Sequence, residues 1–223
     1  MLKNRLKLNA KKIDLFLKNY INNQKKSSLI NPMNYGVLSG GKKIRSSVIL
    51  ATGKFYNLKI NKLLNICGAV ECIHSYSLIH DDLPCMDNDK LRRGKPTAHI
   101  KYGESTAVLA GNSLLTLAFE MISDSKFKIK NNHKVLLIKK LAECSGHTGI
   151  AGGQELDLKY EKKRKKFNEI INMQRKKTGK LFSFCCFAAC QIAGKNKNES
   201  NRLSRIGENI GLLFQFADDF LDI

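Results

Sequence analysis

Proline occurs at only three positions in this 223-residue chain, Pro32, Pro84 and Pro96. A sequence so poor in proline keeps long stretches in which every amide is free to join a helix. Runs that alternate β-branched or aromatic residues with polar ones are nearly absent, so strands lack their period-two signal. Apolar residues instead recur near every 3.6 positions. The spacing predicts helices over 4–22, 41–55, 60–82, 104–122, 133–149, 167–193 and 199–222. Breaks are expected at Asn22–Asn34, Pro84–Pro96, Ser123–Asn132 and Gly194–Glu199. No linker divides the chain, so 1–223 reads as a single all-α domain, a helical bundle around a cavity.

Two acidic boxes stand out against a basic background. The chain carries 39 Lys+Arg against 19 Asp+Glu, a net charge of +20. Yet Asp81-Asp82-Leu83-Pro84-Cys85-Met86-Asp87 and Asp218-Asp219-Phe220-Leu221-Asp222 gather six of its acids. Carboxylates at that density suit Mg²⁺, which takes one or two of them and fills its other positions with water and phosphate oxygens. Asp218 and Asp222 are four apart, on one helix face. Asp81 and Asp87 are six apart and would diverge on a continuous helix. Pro84 ends that helix and lets Asp87 swing back towards Asp81. Both boxes are expected at helix C-terminal ends, facing the cavity. His74 and Ser77 precede Asp81 on the same face, a polar line in an apolar segment.

The cationic residues supply the other half of a diphosphate site. Ser39-Gly40-Gly41-Lys42-Lys43-Ile44-Arg45 opens a helix after a glycine turn, where backbone amides favour anions. Lys42 and Arg45 are three apart and are expected on one face. The spacing is not that of a nucleotide-binding P-loop. Arg92 and Arg93 follow the first box, and guanidinium groups match phosphate oxygens with several donors at once. Lys177-Thr178-Gly179 lies inside a long helix, where a Thr-Gly pair is unfavourable. A local break there frees a carbonyl to face a positive charge, and the Gln215 side-chain oxygen suits the same task.

Other function classes fit less well. Of the 39 basic residues 31 are Lys and 8 are Arg, spread along the chain rather than on one stripe. The densest run, 159–166, reads as a solvated helix end or loop, so no nucleic-acid partner is expected. The N-terminus has no apolar core for a signal peptide, and the stretch Phe182–Ala189 is too short to cross a membrane, so no membrane span is expected. Seven cysteines without a CxxC pair point to reduced thiols and a cytoplasmic protein.

These segments, in this order, resemble the trans-isoprenyl diphosphate synthases, and most closely the bacterial farnesyl diphosphate synthases. The resemblance rests on Gly40–Arg45, Glu71–Asp89, Leu91–Gly94, Gly152-Gly153-Gln154 with Asp157, Lys177–Gly179 and Phe214–Asp222. It implies an all-α fold around a deep cavity, a homodimer, and Mg²⁺-dependent condensation of isopentenyl diphosphate with the allylic dimethylallyl and geranyl diphosphates. By the resemblance, Lys42, Arg45, His74 and Arg93 hold isopentenyl diphosphate. Asp81, Asp87 and Asp218 bind magnesium, with Asp82 and Asp222 as further candidates. Arg92 and Lys177 contact the allylic diphosphate, and Thr178 and Gln215 stabilise the allylic cation. Tyr76, five residues before Asp81, lies more than a turn deeper along the helix. In the resembling family an aromatic there, with two extra residues in the box, goes with C15 products.

Lys43 and Ser46 depart from that pattern, which has Arg and Pro at these places. The resembling proteins also continue past the second box through further helices, so a chain ending at Ile223 is expected to lack C-terminal helices that would cover Phe214 and Leu221. On that expectation the short chain turns over weakly by itself. A geranylgeranyl diphosphate synthase and a non-catalytic subunit that keeps the motifs are the alternatives.

Overall fold

A computed structural model of the protein describes residues 2–221. Among them are eleven α-helices and one two-residue β-ribbon, so the all-α expectation holds. The helices are α1 (Leu2–Asn22), α2 (Ile30–Val37), α3 (Ile44–Phe55), α4 (Leu64–Asp81), α5 (Ala98–Tyr102), α6 (Glu104–Ser123), α7 (Asn131–Ser145), α8 (Ile150–Tyr160), α9 (Phe167–Gln174), α10 (Lys180–Ile192) and α11 (Lys197–Leu221). A 3₁₀ turn at Ile60–Lys62 precedes α4, and a π-helical turn, Arg175–Gly179, joins α9 to α10. Strands β1 (Leu91–Arg92) and β2 (Lys95–Pro96) pair antiparallel.

The chain forms two compact units. One comprises residues 1–47 and 64–127, the other 48–63 and 128–223. In the first, α4 is mostly apolar and mostly buried, with His74, Ser77 and Asp81 on one partly exposed line. It packs chiefly on α6, with α1 and α2 against it as well. Helix α6 is also long and apolar enough, at 20 residues, to span a membrane by length and composition. This unit buries it in part: Ala107, Ala110, Leu114, Ala118 and Met121 are fully covered. In the second unit, α10 packs along α11 and on α7, and its core includes Phe182 and Phe184 with no exposure. Phe214, expected to lie uncovered, stacks on Phe182 with ring centroids 5.6 Å apart. Helix α11 turns Leu213, Phe216 and Phe220 outward.

Several expected boundaries move. Residues 22–34 were expected to be a break, but α2 begins at Ile30. Pro32 is tolerated because it falls in the first turn, where amides have no intrahelical acceptor. The helix expected over 133–149 ends at Ser145, and α8 follows across Gly152 and Gly153. The helix expected from residue 41 starts at Ile44, because Gly40, Gly41 and Lys43 all have positive φ. The helix expected over 167–193 does not break at Thr178-Gly179. It widens into the π-turn there.

Packing explains the paired glycines of α8. A Cβ on Gly153 would stand 2.2 Å from the backbone nitrogen of Lys177. Alanine would gain about 1 kcal/mol of helix propensity, but overpacking against rigid backbone costs about 1–3 kcal/mol. Gly153→Ala should therefore destabilise the chain by up to about 2 kcal/mol in urea unfolding. An unchanged or raised midpoint would show that α8 can shift freely off the π-turn.

Candidate active site

The end of α4 behaves as its proline requires. The helix stops at Asp81, the chain turns through Pro84, and the Asp87 amide donates to the Asp81 carbonyl at 2.9 Å. The amides of Met86 and Asn88 both donate to the Leu83 carbonyl, at 2.9 and 3.1 Å. A backbone bond thus brings Asp87 back to Asp81. Among the described residues no three metal-ligating side chains lie together. A magnesium ion that takes only one or two carboxylates needs no such trio. Asp81 and Asp87 are hard oxygen donors at the open end of a helix, and they fit that ion.

Asp82 has a different partner from its neighbour. It is buried, and its Oδ1 accepts from the Arg92 Nε at 2.6 Å. Arg92 also donates to Asp89 Oδ2 at 3.0 Å. Burial pushes the Asp82 carboxyl upward, and the Arg92 guanidinium pulls against that shift. Asp82, a further metal candidate by the resemblance, therefore anchors Arg92, the expected diphosphate contact.

The glycine turn brings a second arginine to the same unit. Gly40 and Gly41 have φ of +94° and +104°, and the Arg93 guanidinium donates to the Gly40 carbonyl. A Cβ on Gly41 would lie 2.7 Å from that guanidinium, so glycine makes room for it. Burial and the neighbouring Arg92 both lower the Arg93 pKa. Lys42 is exposed on the turn. It precedes α3, so it does not share a helix face with Arg45, as the spacing had suggested. The positive-φ backbone from Gly40 to Lys43 separates them.

His74 stands in the field of these cations. Burial lowers its pKa well below the ordinary value, and Arg45, Arg93, Lys43 and Arg92 lower it further. Ser77, one turn on, donates to the His74 carbonyl at 3.0 Å. Tyr76 is buried, and its ring meets His80 edge-on at 5.7 Å.

The remaining predicted residues belong to the second unit. The π-turn carries Lys177 and Thr178. Lys177 Nζ pairs with Asp157 Oδ2 at 2.5 Å, and the Thr178 hydroxyl donates to Gln215 Oε1 at 2.9 Å. Thr178 and Gln215, 37 residues apart, are thus direct partners. Asp218 lies one turn on from Gln215, exposed near the end of α11. Asp222 lies outside the described residues. Sequence reasoning gave no role to Asp157 or Glu71. Each stood inside a recognised segment, and Glu71 was visible as the lone acid between Leu64 and His80.

Residues 26–223 match the family model described as polyprenyl synthetase. The chain belongs to that family. It is 43% identical to the farnesyl diphosphate synthase of Escherichia coli K12 over 197 residues, which cover 87% of this chain and 66% of that protein. It is 43% identical to the farnesyl diphosphate synthase of Buchnera aphidicola from Acyrthosiphon pisum, over 88% of this chain and 71% of the relative. The crystal structure of an FPP/GFPP synthase from Zymomonas mobilis superimposes with a TM-score of 0.93 at 40% identity, covering 99% of this chain and 81% of the other. The chain spans about two thirds of the length of the curated relatives it matches.

The environment of His74 generates a pH dependence. A histidine whose folded pKa lies below its free value takes up its proton later than the unfolded chain does as pH falls. Stability from this residue is present above pH ~6.5 and is lost as pH drops below it. The urea midpoint should fall on acidification from about pH 6.5, and His74→Gln should flatten that limb. An equal slope in both proteins would remove the histidine from the cause.

Proposed function

We propose that this chain is a Mg²⁺-dependent prenyltransferase that condenses isopentenyl diphosphate with dimethylallyl and geranyl diphosphates to give farnesyl diphosphate. The observation that carries the reading is the first unit's pairing of opposites. A carboxylate turn built on Asp81 and Asp87 lies in the same unit as Lys42, Arg45, Arg92 and Arg93. Membership in the polyprenyl synthetase family supports it.

Lys42, Arg45, His74 and Arg93 hold isopentenyl diphosphate. The low pKa of His74 leaves a neutral ring, which donates one N–H to a phosphate oxygen. Arg92 and Lys177 contact the allylic diphosphate, each arriving already oriented by a carboxylate, Asp82 and Asp157. Asp81 and Asp87 hold magnesium, and Asp218 offers a further carboxylate. Magnesium bound there supplies charge neutralisation to the departing diphosphate. Thr178 and Gln215 face the allylic cation with oxygen lone pairs, a preorganised dipole of the kind that lowers a charged transition state. Isopentenyl diphosphate attacks through its double bond, and the released diphosphate takes the proton. No separate side-chain base is needed.

We also place the chain in the cytoplasm as a homodimer that does not span a membrane, with α6 as a core helix. All seven cysteines are free, which supports a reducing compartment. In the basic run 159–166, Lys159, Lys162 and Lys165 pair with Glu155, Glu161 and Glu169, which supports a solvated loop over a nucleic-acid surface.

The direct test supplies the purified chain with labelled isopentenyl diphosphate and geranyl diphosphate. Magnesium-dependent farnesyl diphosphate should form, and Asp81→Ala should lose at least about 100-fold in turnover. Activity retained in Asp81→Ala, or in excess chelator, would defeat the assignment. Tyr76 makes a second prediction. Its buried ring, on the helix that ends at Asp81, sits where a chain growing down α4 would meet it. Tyr76→Ala should shift products to C20 or longer. An active variant with an unchanged product length would reject Tyr76 as the stop.

A further inference from the structure

The turn that carries Lys42 and Arg45 is held from below by an acid. Glu71 lies mid-way along α4 with its side chain 2% exposed. Its Oε1 accepts from the Ser46 hydroxyl at 2.7 Å and from the Ser46 amide at 3.2 Å. Its Oε2 faces Lys43 Nζ at 3.8 Å. Lys43 is itself buried, with left-handed backbone at φ +46°. Its ammonium donates to the Val37 carbonyl at 2.6 Å and reaches Asp14 Oδ1 at 3.4 Å. One carboxylate therefore ties both ends of the segment 43–46, and Arg45 lies between the ties.

Lys43 and Ser46 meet the carboxylate at its two oxygens. Lysine faces Oε2 as a point charge at 3.8 Å, where an arginine could grip it with a two-pronged fork. Serine gives Oε1 both an amide hydrogen and a hydroxyl.

We propose that Glu71 is a positioning residue that fixes the turn presenting Lys42 and Arg45 to isopentenyl diphosphate, and that Ser46 supplies the grip on Glu71 that a lysine at 43 does not. Glu71 touches no substrate; it acts through the backbone of residues 43–46. The proposal rests on the reading of that turn as the isopentenyl diphosphate site.

The test uses Glu71→Gln, Ser46→Ala, and Ser46→Ala combined with Lys43→Arg. Glu71→Gln should raise KM for isopentenyl diphosphate about tenfold, because loosening a binding group by a fraction of an ångström carries a cost on that scale. KM for geranyl diphosphate should stay within about twofold. Ser46→Ala should show a smaller rise of the same kind, and Lys43→Arg should reverse it. General damage would raise both KM values together, and that result overturns the proposal. So does a failure of Lys43→Arg to rescue. Amide hydrogen exchange gives a readout independent of turnover: the Ser46 amide should lose protection in Glu71→Gln while amides in the middle of α6 keep theirs. Unchanged exchange at Ser46 overturns the tie itself. Loss of Ser46 protection in Glu71→Gln, together with a wild-type chain that binds no isopentenyl diphosphate by calorimetry, overturns the functional reading and the ligand named here.

Discussion

The charges of Arg45, Arg93, Lys43 and Arg92 all push down the pKa of His74, a group already disfavoured as a cation by burial. Cations gathered in one unit are stabilised by acceptors in place before any ligand arrives. For three of the four those acceptors are identifiable. Lys43 has Val37, Asp14 and Glu71; Arg92 has Asp82 and Asp89; Arg93 has the Gly40 carbonyl. Two of the carboxylates, Glu71 and Asp82, are buried, where removing either would strand a charge in low dielectric. The order of the first unit follows from this constraint. The helix that supplies Glu71 is largely buried, and the loop after it returns Arg93 to the glycine turn.

Much of that was legible in the sequence. Pro84 between two aspartates forces a helix end and a tight return, and the Asp87-to-Asp81 backbone bond is that return. The paired glycines before Lys42 announce positive φ, which the structure has at both. Thr178-Gly179 marked a disturbance in a long helix, and the disturbance is there. Patterns of this kind are local, because a proline or glycine acts on its own backbone whatever surrounds it.

What was not legible depended on partners distant in sequence. Asp82 pairs with Arg92, ten residues on, and no spacing rule reveals that. Helix α8 was not among the expected helices, and packing against the π-turn makes Gly153 the residue that fits. Helix α2 was hidden by Pro32, which is unfavourable inside a helix and harmless in its first turn. Lys42 and Arg45 seemed to share a helix face because Lys43 gives no sign of adopting left-handed backbone. Its ammonium is held there by Val37, Asp14 and Glu71, all outside the segment Gly40–Arg45.

The π-turn shows how a local irregularity can set chemistry. A π-turn widens a helix by one residue and lets it continue in α-form on both sides, which is why such turns recur at functional positions. Here it puts Lys177 against Asp157 and Thr178 against Gln215, without interrupting the chain between α9 and α10. The direction of the second bond matters more than its existence. A threonine hydroxyl has one hydrogen, and this one is given to Gln215. Only lone pairs then remain on the Thr178 oxygen for any other partner. A group fixed in that state can accept from a donor or face a cation, and it has no proton to offer an anion. The bond to Gln215 therefore settles the polarity that Thr178 presents, and it does so through a neighbour 37 residues away.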